Sequence, residues 1–194
     1  MDLGTRVPAL LRRHPSVRAV SLAGSRARGT PTPLSDWDFG IETGDFAALS
    51  GALPGLTAPL DPLAQQWDPL GEHPTFMLML RGPTKVDLIF FGEPMTARPR
   101  WQASGETMAR LDAHFWDWIL WLAAKRAGGR DELVREELVK MHDYLLAPLG
   151  VPAAPHSIDE AIDVYLAASA AAERRFGVEV PRALREEVLR AVLS

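Results

Sequence analysis

An α+β fold is predicted for this 194-residue chain: a small mixed β-sheet with flanking helices, followed by a C-terminal helical bundle. Three observations predict it. Apolar runs of strand length crowd the first half, at 17–23, 36–42, 75–80 and 85–91, and Gly and Pro bound them. After Gly92-Glu93-Pro94 the pattern changes to helical spacing. Hydrophobic residues make up 47% and charged residues 24%, an ordinary balance for a chain long enough to bury one large core or two small ones. The division is expected after residue 97, giving segments 1–97 and 98–194.

Each element has its own signal. Leu3, Val7, Leu10 and Leu11 recur at helical spacing, and Arg12 and Arg13 close a short amphipathic helix over 2–13. Val17 to Ala23 reads as a strand running into Gly24-Ser25, and Ser25 to Gly29 as a helical turn that directs backbone N–H groups toward an anion. Thr30-Pro31-Thr32-Pro33 is a stiff connector to a second strand, Asp36 to Glu42. A short helix is expected over Phe46 to Leu53, and a short strand at Gln65-Gln66-Trp67 within the Gly- and Pro-rich stretch 51–74. Thr75 to Leu80 and Lys85 to Phe91 flank Arg81-Gly82-Pro83-Thr84 as a hairpin. Helices are expected near 104–127, 130–147, 158–176 and 181–193. Ser157 is placed as the cap of the third of these, with Glu160 as its capping-box partner.

Composition narrows the chemistry. The absence of cysteine removes disulfides and thiolate metal sites. The first residues lack a basic-then-apolar leader and no apolar run could span a bilayer, so a cytoplasmic location without membrane partners is expected. Net charge is −4, and all of it falls after residue 100, because residues 1–100 carry ten acids and ten bases. A nucleic-acid partner would want a basic groove. None is apparent, so a small acceptor, a cationic one included, or a protein, fits better than nucleic acid.

Residues Gly24 to Asp38, GSRARGTPTPLSDWD, carry the most specific pattern. A Gly-Ser turn suits a phosphate, and ten residues later two aspartates flank one tryptophan. On a strand Asp36 and Asp38 share a face while Trp37 and Phe39 point the other way. Like charges that close invite a cation. Asp87 adds a third acid inside the apolar run Lys85-Val86-Asp87-Leu88-Ile89-Phe90-Phe91. Asp-x-Asp can mark a solvated strand edge, but acids beside strongly apolar neighbours are costly to bury without a cation or donors.

This combination resembles the nucleotidyltransferase superfamily that includes DNA polymerase beta, the antibiotic nucleotidyltransferases and the minimal nucleotidyltransferases of toxin–antitoxin pairs. The resemblance covers roughly residues 16 to 92. It implies a sheet-based catalytic domain over 1–97 and a helical domain over 98–194 that completes an acceptor cleft. It also implies transfer of a nucleoside monophosphate, AMP from ATP or a counterpart from another NTP, to a hydroxyl of a small molecule, as in antibiotic resistance. Asp36, Asp38 and Asp87 would be the catalytic and metal-binding acids, holding Mg²⁺, with Asp87 either completing the metal site or accepting the hydroxyl proton. Gly24, Ser25, Arg26 and Arg28 would bind the nucleotide phosphates. The resemblance also admits an antitoxin-type enzyme that adenylylates a protein, or a catalytically silent nucleotide-binding regulator.

Other residues are weaker candidates. Lys85 shares a strand face with Asp87 and is expected to pair with a carboxylate, touch phosphate or lie on the surface. Glu106, Glu132, Glu136 and Glu137 are positional candidates for a general base, against the ordinary reading of a solvated helix face. His114, Phe115, Trp116, Trp118 and Trp121 form an aromatic cluster whose default role is core packing. Arg135 and His142, seven residues apart on one helix, resemble the loose Arg-x6-His motif of HEPN ribonuclease toxins.

Overall fold

Alternation of polar and apolar residues gives the sheet one oily face, and two helices cover it. The computed structural model describes residues 2–95 and 101–193, and the chain divides into two compact units, Met1–Arg98 and Pro99–Ser194. The expected boundary at 97/98 lies outside the described residues. The α+β class is as the sequence predicts.

The first unit opens with α1 (Leu3–Leu11), capped by the Asp2 carboxylate accepting from the Gly4 N–H. Strand β1 (Val17–Leu22) runs into α2 (Gly24–Ala27), a single turn, and β2 (Trp37–Thr43) follows. Helix α3 (Phe46–Thr57) is longer than expected. It runs four residues past Leu53 and carries Pro54 in its interior, where burial of Leu49, Leu53 and Thr57 outweighs the lost N–H. Strands β3 (Ala64–Trp67), β4 (Thr75–Leu80) and β5 (Thr84–Ile89) complete the sheet, with the expected hairpin turn between the last two.

The sheet order is β1-β2-β5-β4-β3. Only β2 and β5 run parallel, and they are inner strands, so the chain returns to lay β5 beside β2. One face presents Phe39, Ile41, Phe76, Leu78, Val86 and Leu88, which pack with Leu3, Val7, Leu11, Leu49 and Leu53 into a single core. Trp37 stacks on Phe39 on that face, with ring centroids 6.2 Å apart. The opposite face therefore carries the residues between: Asp38 and Gly40 on β2, Lys85 and Asp87 on β5, and Met77 on β4.

The second unit is helical: α4 (Met108–Ala127), α5 (Asp131–Met141), α6 (Ile158–Phe176) and α7 (Ala183–Val192). Helix α4 is central and packs against the other three. A wide π turn, His142–Leu146, extends α5. Ser157 caps α6 by accepting from the Glu160 N–H at 3.1 Å. The Glu160 carboxylate accepts from the His156 N–H, one residue before the cap, at 2.8 Å, so the box closes one position early.

The aromatic cluster of α4 is core. Phe115 stacks on Tyr165 at 3.6 Å, and the buried Asp112 carboxylate accepts from the Tyr165 hydroxyl at 2.6 Å and from the Trp116 indole at 3.0 Å. Trp121 lies under the Lys125 ammonium at 4.7 Å. No described helix is long and apolar enough to cross a membrane.

Candidate active site

Parallel pairing of β2 with β5 sets Asp38 directly beside Asp87. Asp36 precedes the first residue of β2, one position short of the strand expected to hold it, yet its carboxylate still joins the other two. One carboxylate oxygen from each of Asp36, Asp38 and Asp87 lies within 4.8 Å of the others. Oxygen-only donors at this separation suit a hard divalent cation. Asp87 is the deepest, 9% exposed, and the Lys85 ammonium sits 3.3 Å from its Oδ2. The lysine offsets part of a charge that would otherwise be expensive to bury. Its pairing with a carboxylate is one of the expectations raised for it.

The Gly-Ser turn is built against these acids. The Ala23 N–H donates to the Asp38 carbonyl at 2.8 Å, which ties the end of β1 to the start of β2. Gly24 follows with φ +62, a left-handed conformation that glycine adopts without strain. A β-carbon there would lie 1.7 Å from Asp38 Oδ2. Glycine is thus required twice over, by backbone angle and by space. The Ser25 Oγ is buried and has no hydrogen-bond partner among the described residues. A buried hydroxyl left open, one residue from the glycine packed on Asp38, is ready to meet a ligand atom.

The two arginines are placed differently. Arg26 turns back on its own loop: its Nε donates to the Asp36 carbonyl at 2.8 Å, its Nη2 donates to the Ser35 carbonyl at 2.7 Å, and its guanidinium lies 4.1 Å over the Trp37 ring. These bonds hold the segment that delivers Asp36. Arg28 is exposed at the end of α2.

Glu106, Glu132 and Glu136 are exposed, and Glu137 pairs with Lys140. His142 is held by the Val151 carbonyl at 3.0 Å and by Asp143 at 3.2 Å, and no hydrogen bond joins it to Arg135 among the described residues. The residue that sequence reasoning passed over is Asp112. Burial pushes its carboxyl up to about 6, against the two hydrogen bonds and the positive charges of Arg182 and Arg185.

No protein-family model matches the sequence, and no curated protein matches it. Among solved structures the chain is similar to an aminoglycoside 6-adenyltransferase from Bacillus subtilis. Identity is 11% and the TM-score 0.34, with 97% of this chain and 95% of that chain covered. A likeness at that level carries no functional weight, so the chemistry has to come from the side chains.

Proposed function

We propose that the chain is a nucleotidyltransferase that moves a nucleoside monophosphate, AMP from ATP, onto a hydroxyl of a small molecule. The observation that carries this reading is the convergence of three carboxylates, with Asp38 packed against Gly24 and the neighbouring Ser25 hydroxyl unpartnered. Asp36, Asp38 and Asp87 would hold Mg²⁺, which when bound supplies charge neutralisation at the phosphates.

The residues themselves supply position. Ser25 donates to a terminal phosphate oxygen, and Gly24, without a β-carbon, lets the turn lie against Asp38. Arg26 fixes the loop that carries Asp36, and Lys85 balances Asp87 between turnovers. In the reaction the acceptor oxygen bonds the α-phosphorus as the bridging P–O bond to the β-phosphate breaks. Pyrophosphate leaves with that electron pair, and the hydroxyl proton passes to Asp87 or to water. Asp87 therefore either completes the cation site or serves as base.

The test is mass spectrometry after incubating the protein with ATP, Mg²⁺ and a panel of hydroxylated antibiotics, beside an Asp36→Ala/Asp38→Ala control. An AMP adduct on a panel member, absent from the control, supports the reading. No adduct despite metal-dependent ATP binding moves the assignment to a protein acceptor or a regulatory role. Gly24→Ala is expected to lower transfer by about 100-fold or more, because misplacing reactive groups by an ångström has that scale of effect. Circular dichroism should show the fold retained, and a variant of near-normal rate would remove Gly24 from the site.

A further inference from the structure

The two edges of the sheet are guarded unequally. Outer strand β3 is four residues long and lies between Asp61-Pro62 and Asp68-Pro69, charges and prolines that discourage a further strand. The other outer strand, β1, has no such guard over Ala19-Val20-Ser21-Leu22-Ala23, which are uncharged and lack proline. We infer that this edge is an interface between two copies of the chain, with β1 paired antiparallel to β1 across a two-fold axis at Ser21. Such an interface does not depend on the nucleotidyl-transfer reading.

Backbone direction opens this edge. In an antiparallel pair, every second residue turns its N–H and C=O toward the neighbouring strand. The Ala23 N–H donates to the Asp38 carbonyl, so the register makes Ser21 with Gly40 and Ala19 with Glu42 the pairs bonded to β2. Val20 and Leu22 therefore direct their N–H and C=O groups away from the sheet. No other strand lies on that side, and no loop backbone hydrogen bond reaches those groups among the described residues.

Side chains select the partner. With the axis at Ser21, Val20 of each copy stands opposite Leu22 of the other, and the two pairs exchange their outward N–H and C=O groups. Both side chains lie on the core face, as their β2 partners Ile41 and Phe39 do. Leu22 is 40% exposed in the single chain, and this pairing lays it against a valine. Ser21 meets Ser21 and Ala19 meets Ala23, so no like charges are opposed. An axis at Val20 would instead set Leu22 against Arg18, where the register with β2 shifts between Val17 and Ala19. That irregularity ends the ladder on each side, so the contact closes as a dimer and does not run on along the edge. The two sheets become one, with both carboxylate faces on the same side.

The experiment is sedimentation velocity of the full chain, joined to cysteine crosslinking. Wild type is expected to sediment as a dimer of the 21.3 kDa chain at concentrations of about 10–100 μM. Leu22→Lys sets an ammonium against the valine and should raise the dissociation constant about tenfold or more. Circular dichroism should be unchanged, because the residue is exposed. The chain has no cysteine, so a single introduced thiol reports the register. Relative to the second copy, Ser21 forms a non-hydrogen-bonded pair with Cα atoms about 4.5 Å apart, within disulfide reach. Ser21→Cys should therefore crosslink under mild oxidation. Ala19→Cys should not, since its two copies stand four positions apart, roughly 14 Å. A wild type that stays monomeric throughout overturns the proposal. So does a dimer that Leu22→Lys leaves intact, or a Ser21→Cys chain that crosslinks no faster than Ala19→Cys; either result moves the contact to another surface.

Discussion

Replacing Asp38 by asparagine is expected to lower AMP transfer by about three to four orders of magnitude, the rate equivalent of the several kcal/mol that a properly held cation supplies. Asp38 has the most demanding position of the three acids. Asp87 is its register partner, Asp36 is two residues away, and Gly24 leaves no room for a β-carbon between turn and carboxylate. Loss of activity alone would not separate a chemical role from a folding defect, so stability is the second readout. Three carboxylates within 4.8 Å of one another repel, and Lys85 offsets only part of that. In metal-free buffer the Asn variant should therefore melt higher than wild type, by the equivalent of about 1 kcal/mol, since partial exposure screens the repulsion. Added Mg²⁺ should raise the melting temperature of wild type, as any ligand specific to the native state does, and leave the variant unmoved. A variant that keeps both the Mg²⁺ response and a rate within tenfold of wild type would show that the carboxylates are not the centre of the chemistry.

Local signals in the chain were legible and long-range ones were not. Gly24-Ser25, the Asp36/Asp38 pair and the alternation around Asp87 can each be read from neighbouring residues, because turn geometry and strand period are local. Which acid would stand beside which depends on β5 returning parallel to β2, and nothing in 84–89 alone encodes that partner. Arg26 suggested a phosphate ligand by type and position. In the structure two carbonyls of its own loop and the face of Trp37 satisfy it, contacts that exist only once the loop has closed. Helix α3 outran its expected end at Leu53 because Pro54 is a breaker only where tertiary burial does not compensate. A groove over β1 and β2 was invisible for a related reason: Arg18, Gly40 and Phe91, which line it, come from three separate segments.

Asp112 is the residue whose removal should hurt stability most. In sequence it is one more acid on a helix, but Tyr165 reaches it from α6 and Trp116 from one turn along α4, and the carboxylate is 4% exposed. Asp112→Ala would leave a buried hydroxyl and a buried indole N–H without an acceptor. A loss of about 2–4 kcal/mol is expected in urea unfolding at pH 5, the sum of two orphaned donors. The carboxyl also makes stability depend on pH. Burial raises it from 3.8 to about 6 in the folded protein, so the native state holds a proton that the unfolded chain releases earlier. That preference is fully present below about pH 4 and is lost as pH rises through about 6, a change on the order of 3 kcal/mol for two units. Asp112→Asn keeps an acceptor for Tyr165 and Trp116 but cannot ionise. The stability of wild type relative to Asp112→Asn should consequently fall between pH 5 and pH 8. Glu173 does not confuse the comparison: despite the opposing effect of burial, the Val180 N–H and Arg182 hold its carboxyl below the usual range, so it titrates at lower pH in both proteins. Parallel stability curves for wild type and Asp112→Asn across that window would mean that the buried carboxyl is ionised throughout, held charged by Arg182 and Arg185.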